Sequence, residues 1–190
     1  MTEDLIVATT RLELVSAGEV ILRAELEGSA KLASALGAVV PSSWPPEHYD
    51  RGAVAWALRE RDRHPEAEGW GTWYVVLSAE QGAGRTVIGI AGYKGQPDAE
   101  GTVEVGYSIL PEYQRQGYAT EAVGGLVARA FALPQVRRLI AETYPELTPS
   151  IGVLEKLGFA PAEEAGSEPG VVRYELPRSR YAGPTAAPAS

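Results

Sequence analysis

The chain has 190 residues, 45% of them hydrophobic, enough for one domain with a substantial buried core. Its 17 Lys and Arg against 25 Asp and Glu leave a net charge of -8, a field that repels phosphate backbones and argues against nucleic acid as a partner. With no cysteine and only His48 and His64 as histidines, disulfides, thiolate metal sites and cysteine nucleophiles are excluded and no metal centre is expected.

The first residues are acidic where a signal peptide is basic, and no apolar run reaches spanning length, so a cytoplasmic protein off the membrane is expected. Residues 9–17 read as a strand. Ser16, three places before Glu19, has the spacing of a capping box and opens a predicted helix that runs to residue 36. Residues 37–50 form a proline-rich loop, and a second helix begins near Asp50. From Gly69 the pattern changes to β-branched and aromatic runs over 70–78, 85–95 and 102–110. Separated by glycine-rich turns at 79–84 and 96–101, these predict an antiparallel meander. A helix over 117–132, a strand over 136–144, a short helix over 150–158 and two closing strands around 159–164 and 170–177 follow. The fold class is α/β, a mixed and mostly antiparallel sheet flanked by helices, as a single domain over residues 1–177. Residues 178–190 lack apolar content and are expected to be disordered.

The stretch LPEYQRQGYATEA, residues 110–122, carries the most chemistry. Pro111 removes a backbone donor where a strand ends, so the neighbouring strand is free to diverge and open a cleft. Beyond it, Gln114, Arg115, Gln116, Gly117, Tyr118, Ala119 and Thr120 lead directly into a helix. Free amides and the positive end of the helix dipole then meet at one point, which suits an anion. Gly117 lets backbone approach the anion without a Cβ, Ala119 keeps the next turn thin, and Arg115 can add charge. There is no G-x-x-x-x-G-K-[ST], and no G-x-G-x-x-G near the N-terminus, so nucleotide hydrolase and dinucleotide readings have little support.

EVGYSILPEYQRQGYATEA followed by TPSIGVLEKLGF resembles the Gcn5-related N-acetyltransferase (GNAT) superfamily, and within it the branch of ribosomal-protein N-terminal acetyltransferases. The likeness is strongest over residues 102–159. It implies a GNAT-like acyl-CoA N-acyltransferase fold with splayed central strands and acetyl-CoA as co-substrate. The family's [Q/R]-x-x-G-x-[G/A] diphosphate loop falls on Gln114, Gly117 and Ala119, with amides from Arg115 to Thr120 on the diphosphate and Ile109 and Leu110 beside the pantetheine arm. The implied reaction is direct attack of an amine on the thioester, which needs no protein nucleophile and fits the absence of cysteine. Glu104 matches an acidic position of this branch and is the candidate general base. Its alternative role is cross-strand partner to an Arg or Lys. Relatives are often homodimers.

Two positions depart from the family pattern. Leu147 stands where many relatives carry Asn, leaving Ser150 or Thr148 to contact the coenzyme. Leu154 stands where others carry a Tyr that acts as general acid, which leaves Tyr107, Tyr113, Tyr118 and Tyr144 as candidates to compensate. Trp44, Glu47, His48 and Tyr49 interleave aromatics with charge in the proline-rich loop, a composition suited to a cationic acceptor, and His48 is a second candidate base. Two functions follow: an acetyl-CoA-dependent N-acetyltransferase acting on a protein N-terminus or small cationic amine, or a catalytically inactive acyl-CoA-binding sensor or interaction module.

Overall fold

In the computed structural model, which describes residues 5–79 and 84–183, the runs rich in Val, Ile, Tyr and Trp pair into one sheet. Its strands are β1 (Ile6–Ala8), β2 (Leu12–Ser16), β3 (Thr72–Leu77), β4 (Thr86–Tyr93), β5 (Thr102–Ile109), β6 (Arg138–Thr143), β7 (Ala160–Pro161) and β8 (Val172–Pro177). Among the described residues the order is β1-β2-β3-β4-β5-β6-β8-β7, antiparallel except between β5 and β6. The expected meander is β3-β4-β5. Its first turn, expected over 79–84, falls mainly outside the described residues. No helix among the described residues is long and apolar enough to cross a membrane.

Alternation along the strands assigns each face its helices. Leu12, Leu14, Trp73, Val75, Ile88, Val103 and Val105 pack with α4 (Tyr118–Phe131) and α5 (Thr148–Lys156). Val15, Tyr74, Val76 and Val87 pack beneath α1 (Glu19–Glu27), α2 (Ser29–Leu36) and α3 (Arg51–Arg63) on the other face. α3 starts as expected, with the Ala53 amide donating to the Asp50 carboxylate at 2.9 Å. The single helix expected from residue 16 to 36 is instead two, broken at Gly28, where φ is 131°. The capping box is not formed either. Ser16 ends β2, its amide donating to Leu5 O at 2.9 Å, and Gly18 precedes α1 with no side-chain cap. A ladder hydrogen bond claimed the serine that its spacing assigned to the helix.

β5 pairs with β6 in parallel over Thr102, Val103 and Glu104 only, then the two strands part. β5 stays on β4 as far as Ile109, while β6 stays on β8 as far as Thr143. Divergence therefore starts directly after Glu104, well before Pro111, so proline is not its cause. Each strand follows the partner with which it forms the longer antiparallel ladder.

The chain's end also departs from expectation. Residues 178–183 are part of the described structure, with a 3-10 turn at Arg178–Arg180 and Tyr181 against Phe131 at a centroid distance of 4.8 Å. The Arg178 guanidinium donates to Phe131 O and Val136 O at 2.8 Å and to Leu133 O at 2.6 Å, a cationic donor set for carbonyls at the end of α4 and in the turn after it. Residues 184–190 lie outside the described residues. Arg178→Ala should cost about 2 kcal/mol by leaving Phe131 O and Val136 O without this donor. A urea denaturation midpoint equal to the parent's would show that this terminal turn holds nothing together.

Candidate active site

The loop after β5 turns through two left-handed residues, Arg115 at φ 61° and Gly117 at φ 84°, the second being the N-cap of α4. Among the described residues, the amides from Arg115 to Thr120 donate to no protein acceptor. The Glu121 amide is the first to close the helix, onto Gly117 O at 3.0 Å. A run of free amides at a helix start is an anion cradle. Gln114, Arg115 and Gln116 have exposed side chains, and those of Ala119 and Thr120 are half-buried. Tyr118 is buried, its ring 4.4 Å from the Arg11 guanidinium carbon, so it has only its amide to offer.

Arg11, from the β1–β2 turn, holds this cradle in place and was missed in the sequence. It donates to Gln116 O at 3.0 Å and to the Glu121 carboxylate through Nε at 2.7 Å and its own amide at 2.7 Å. Thr9 Oγ1 adds a third donor to Glu121 at 2.7 Å. Burial pulls the Glu121 carboxyl upward, but these hydrogen bonds and the Arg11 charge outweigh it and hold the group below the usual carboxylate range. No local pattern marks Arg11, since its partner Glu121 is 110 residues away.

Register decides what the open edge of β5 presents. The Lys94 amide donates to Glu104 O and the Leu110 amide to Ile88 O, both at 2.9 Å, so even-numbered residues of β5 bond to β4 and odd-numbered ones face the gap. Leu110 is thus committed to β4, and its side chain is fully buried. Ile109 O accepts from Gln114 Nε2 at 2.8 Å. The backbone of Tyr107 and the Ile109 amide are left to meet an extended ligand. Across the gap, the Tyr107 hydroxyl donates to Ser150 O at 2.9 Å and lies 2.9 Å from Ser150 Oγ, at the start of α5. Burial raises the Tyr107 hydroxyl above its ordinary pKa and the Ser150 contact only partly offsets this, so the phenol stays protonated. Leu154 is 1% exposed in the core behind α5, while Leu147 at 41% and Tyr144 at 42% are open to solvent.

On the opposite face, two carboxylates flank the parting strands. Glu142 of β6 is saturated by Arg173 Nη2 at 2.8 Å, Arg173 Nε at 3.0 Å and the Ser167 amide at 2.9 Å. Burial opposes ionisation there, yet these donors keep the carboxyl below its usual range. Glu104 stands at the apex of the gap and forms an ion pair with Lys94, directly after β4, the cross-strand role foreseen as its alternative. Lys94 also borders a cavity of about 300 Å³ lined by Trp56, Glu60, His64, Glu68 and Trp70.

The four residues of the proline-rich loop do not act together. Trp44 Nε1 and the Tyr49 hydroxyl point inward and donate to Glu25 at 2.7 and 2.9 Å, a carboxylate that also accepts from the Tyr74 hydroxyl. Burial lifts both tyrosine hydroxyls well above their ordinary pKa. Glu47 and His48 are exposed and face each other at 3.7 Å. Ser43 bonds to Glu112 and ties this loop to the end of β5.

Comparison with known proteins matches residues 24–160 to the acetyltransferase (GNAT) domain family. The uncharacterized N-acetyltransferase YjdG of Bacillus subtilis (strain 168) is 26% identical over 151 residues, covering 80% of this chain and 87% of that protein. Among solved structures, the ribosomal-protein alpha-N-acetyltransferase RimL in complex with coenzyme A superposes with a TM-score of 0.62 at 16% identity, covering 91% of this chain and 98% of that one. A spermidine N-acetyltransferase SpeG chimera from Vibrio cholerae and hSSAT superposes with a TM-score of 0.63 at 15% identity, over 90% and 98% of the two chains. At these identities the structural matches establish the fold alone.

Two outcomes test the cradle. Gly117→Ala places a Cβ on a left-handed backbone and should cost about 1–2 kcal/mol of stability in urea, where a glycine with negative φ would have tolerated the change. Glu121→Gln should lower stability at neutral pH. A carboxylate with a depressed folded pKa stabilises above its unfolded value and loses that contribution as pH falls through the folded one. The gap between Glu121→Gln and parent should therefore close below the usual carboxylate range. A gap that stays constant down to that pH would remove the charge from the account.

Proposed function

The chain belongs to the acetyltransferase (GNAT) domain family and is an acyltransferase, and on that footing we propose that it moves an acetyl group from acetyl-CoA to a primary amine. The observation that carries this reading is the row of free amides from Arg115 to Thr120 opening onto the unpaired edge of β5. The cradle suits a diphosphate, with no Cβ at Gly117 and Arg11 behind it, and the edge at Tyr107 and Ile109 suits an extended amide-bearing arm. Gln114 contributes by holding Ile109 O and Ser150 by anchoring Tyr107.

Acetyl-CoA supplies an activated thioester, and the protein's work is to hold two reactants in one cleft and manage a proton. Glu104 is the proposed base. Of the two carboxylates at the parting strands, Glu142 is saturated by Arg173 and Ser167, whereas Glu104 is held by one solvent-facing lysine that an incoming amine can displace. The protonated Tyr107 hydroxyl, across the gap, is the proposed donor to the departing sulfur in place of the family tyrosine that Leu154 replaces. The acceptor reaches Glu104 from the face of α1–α3. Trp44 and Tyr49 brace the loop there, and the exposed Glu47, facing His48, is the carboxylate on it proposed to meet a cation. A protein N-terminus and a small polyamine both fit, as RimL and the spermidine enzyme act on such amines. The alternative, a coenzyme-binding module without transfer, draws on Leu147 and Leu154.

Thiol release from acetyl-CoA across an amine panel, with mass detection of products, separates the two. With a confirmed acceptor, Glu104→Gln should retain calorimetric binding of coenzyme A while turnover falls by about 10²–10⁴. Full turnover in that variant at neutral pH would make Glu104 structural.

A further inference from the structure

We propose that Lys94 is a self-acetylation site, the chain's own amine held where an acceptor amine must stand; the inference rests on the acetyltransferase reading and names an internal substrate for it. Lys94, the residue directly after β4, faces Glu104 of β5, its amide donating to Glu104 O at 2.9 Å and its ammonium set against Glu104 Oε1. That oxygen is buried, and no hydroxyl or amide among the described residues donates to it. The lysine is its counter-charge, in the position an acceptor ammonium takes on a general base. Glu104 is also the last residue of β5 paired with β6, so a thioester drawn along the open edge toward the apex ends beside this amine. The Lys94 side chain is 61% exposed and borders the 300 Å³ cavity, which leaves its four-carbon stem room to turn toward the gap.

The step balances without a further reactant. Glu104 accepts a proton from the Lys94 ammonium, and the amine lone pair attacks the thioester carbonyl. The C–N bond forms, the C–S bond breaks, and the electron pair leaves on the coenzyme sulfur, which takes up a proton to become the thiol. Acetylated Lys94 carries no charge, so Glu104 loses its counter-ion and is left for an incoming cation.

The chain's other lysines, Lys31 on α2 and Lys156 at the end of α5, are exposed and form no ion pair among the described residues, so they report chemical acetylation by acetyl-CoA alone. The full chain is incubated with acetyl-CoA and no added amine, and acetylation is followed by intact and peptide mass spectrometry. Lys94 should be modified at a rate independent of protein concentration and faster than Lys31 and Lys156 by about a hundredfold, the lower end of general-base assistance. Glu104→Gln should reduce it to the rate of those two lysines. Lys94→Arg, which keeps the ion pair, should abolish the fast phase and leave the melting curve in place. Equal rates at all three lysines, a Lys94 rate unchanged by Glu104→Gln, or a rate that scales with protein concentration would each overturn the proposal. If an added amine is turned over while Lys94 stays bare, this inference fails and the transferase reading stands. Neither thiol release with any amine nor acetyl-Lys94 would count against both.

Discussion

A parallel ladder that stops at Glu104 governs the rest of this molecule. β5 and β6 share three register pairs and then follow β4 and β8 respectively. From that point the sheet has two inner edges, and an unpaired edge exposes amides and carbonyls that need partners. Tyr107 and Ser150 bridge one side of the opening, the Glu142–Arg173–Ser167 cluster braces the other, and α4 begins at its far end. The open edge of β5 offers backbone groups of the kind that an adjacent strand would pair with.

The second constraint is electrostatic. An acidic chain with a net charge of -8 is a poor host for a diphosphate if charge is summed over the whole surface. Screening limits that sum, because at physiological ionic strength the Debye length is about 8 Å and only nearby groups matter. Near the loop, the Glu121 carboxylate is consumed by Thr9 and Arg11, while the free amides and the helix dipole remain. What the loop offers an anion is therefore these free amides and the dipole, not the chain's net charge.

Carboxylates in this fold sort by what answers them. Glu25 collects the polar ends of Trp44, Tyr49 and Tyr74, fixing the proline-rich loop to β3 and α1. Glu142 and Glu121 are held by arginine and by backbone donors. Each donor that stabilises the anion makes it a weaker base, so Glu121 and Glu142 are spent on structure, while Glu25 is taken up by the three side chains it gathers. Glu104 differs in having a lysine as its counter-charge.

Much was legible in the sequence because it is local. Residue-type runs marked β3 to β6, turn glycines divided them, Asp50 announced α3, and the Gln114 to Thr120 run announced an amide cradle at a helix start, since a few adjacent residues fix each of these. Side-chain identity also fixed what Leu154 and Leu147 cannot do, whatever their surroundings. Tertiary structure alone decided the remainder. Ser16 had the spacing of a cap but was taken by a strand, Trp44 and Tyr49 had the composition of a ligand site but turned inward to Glu25, and the tail carried an arginine whose acceptors end another helix. Arg11 met Glu121 across 110 positions, and Lys94 met Glu104 through a strand register that a shift of one residue would have reversed. Short-range patterns are set by the chain's own geometry. Such pairings depend on which surfaces and registers meet once the sheet has formed, and even for near neighbours such as Lys94 and Glu104 the order of residues alone does not say which will face which.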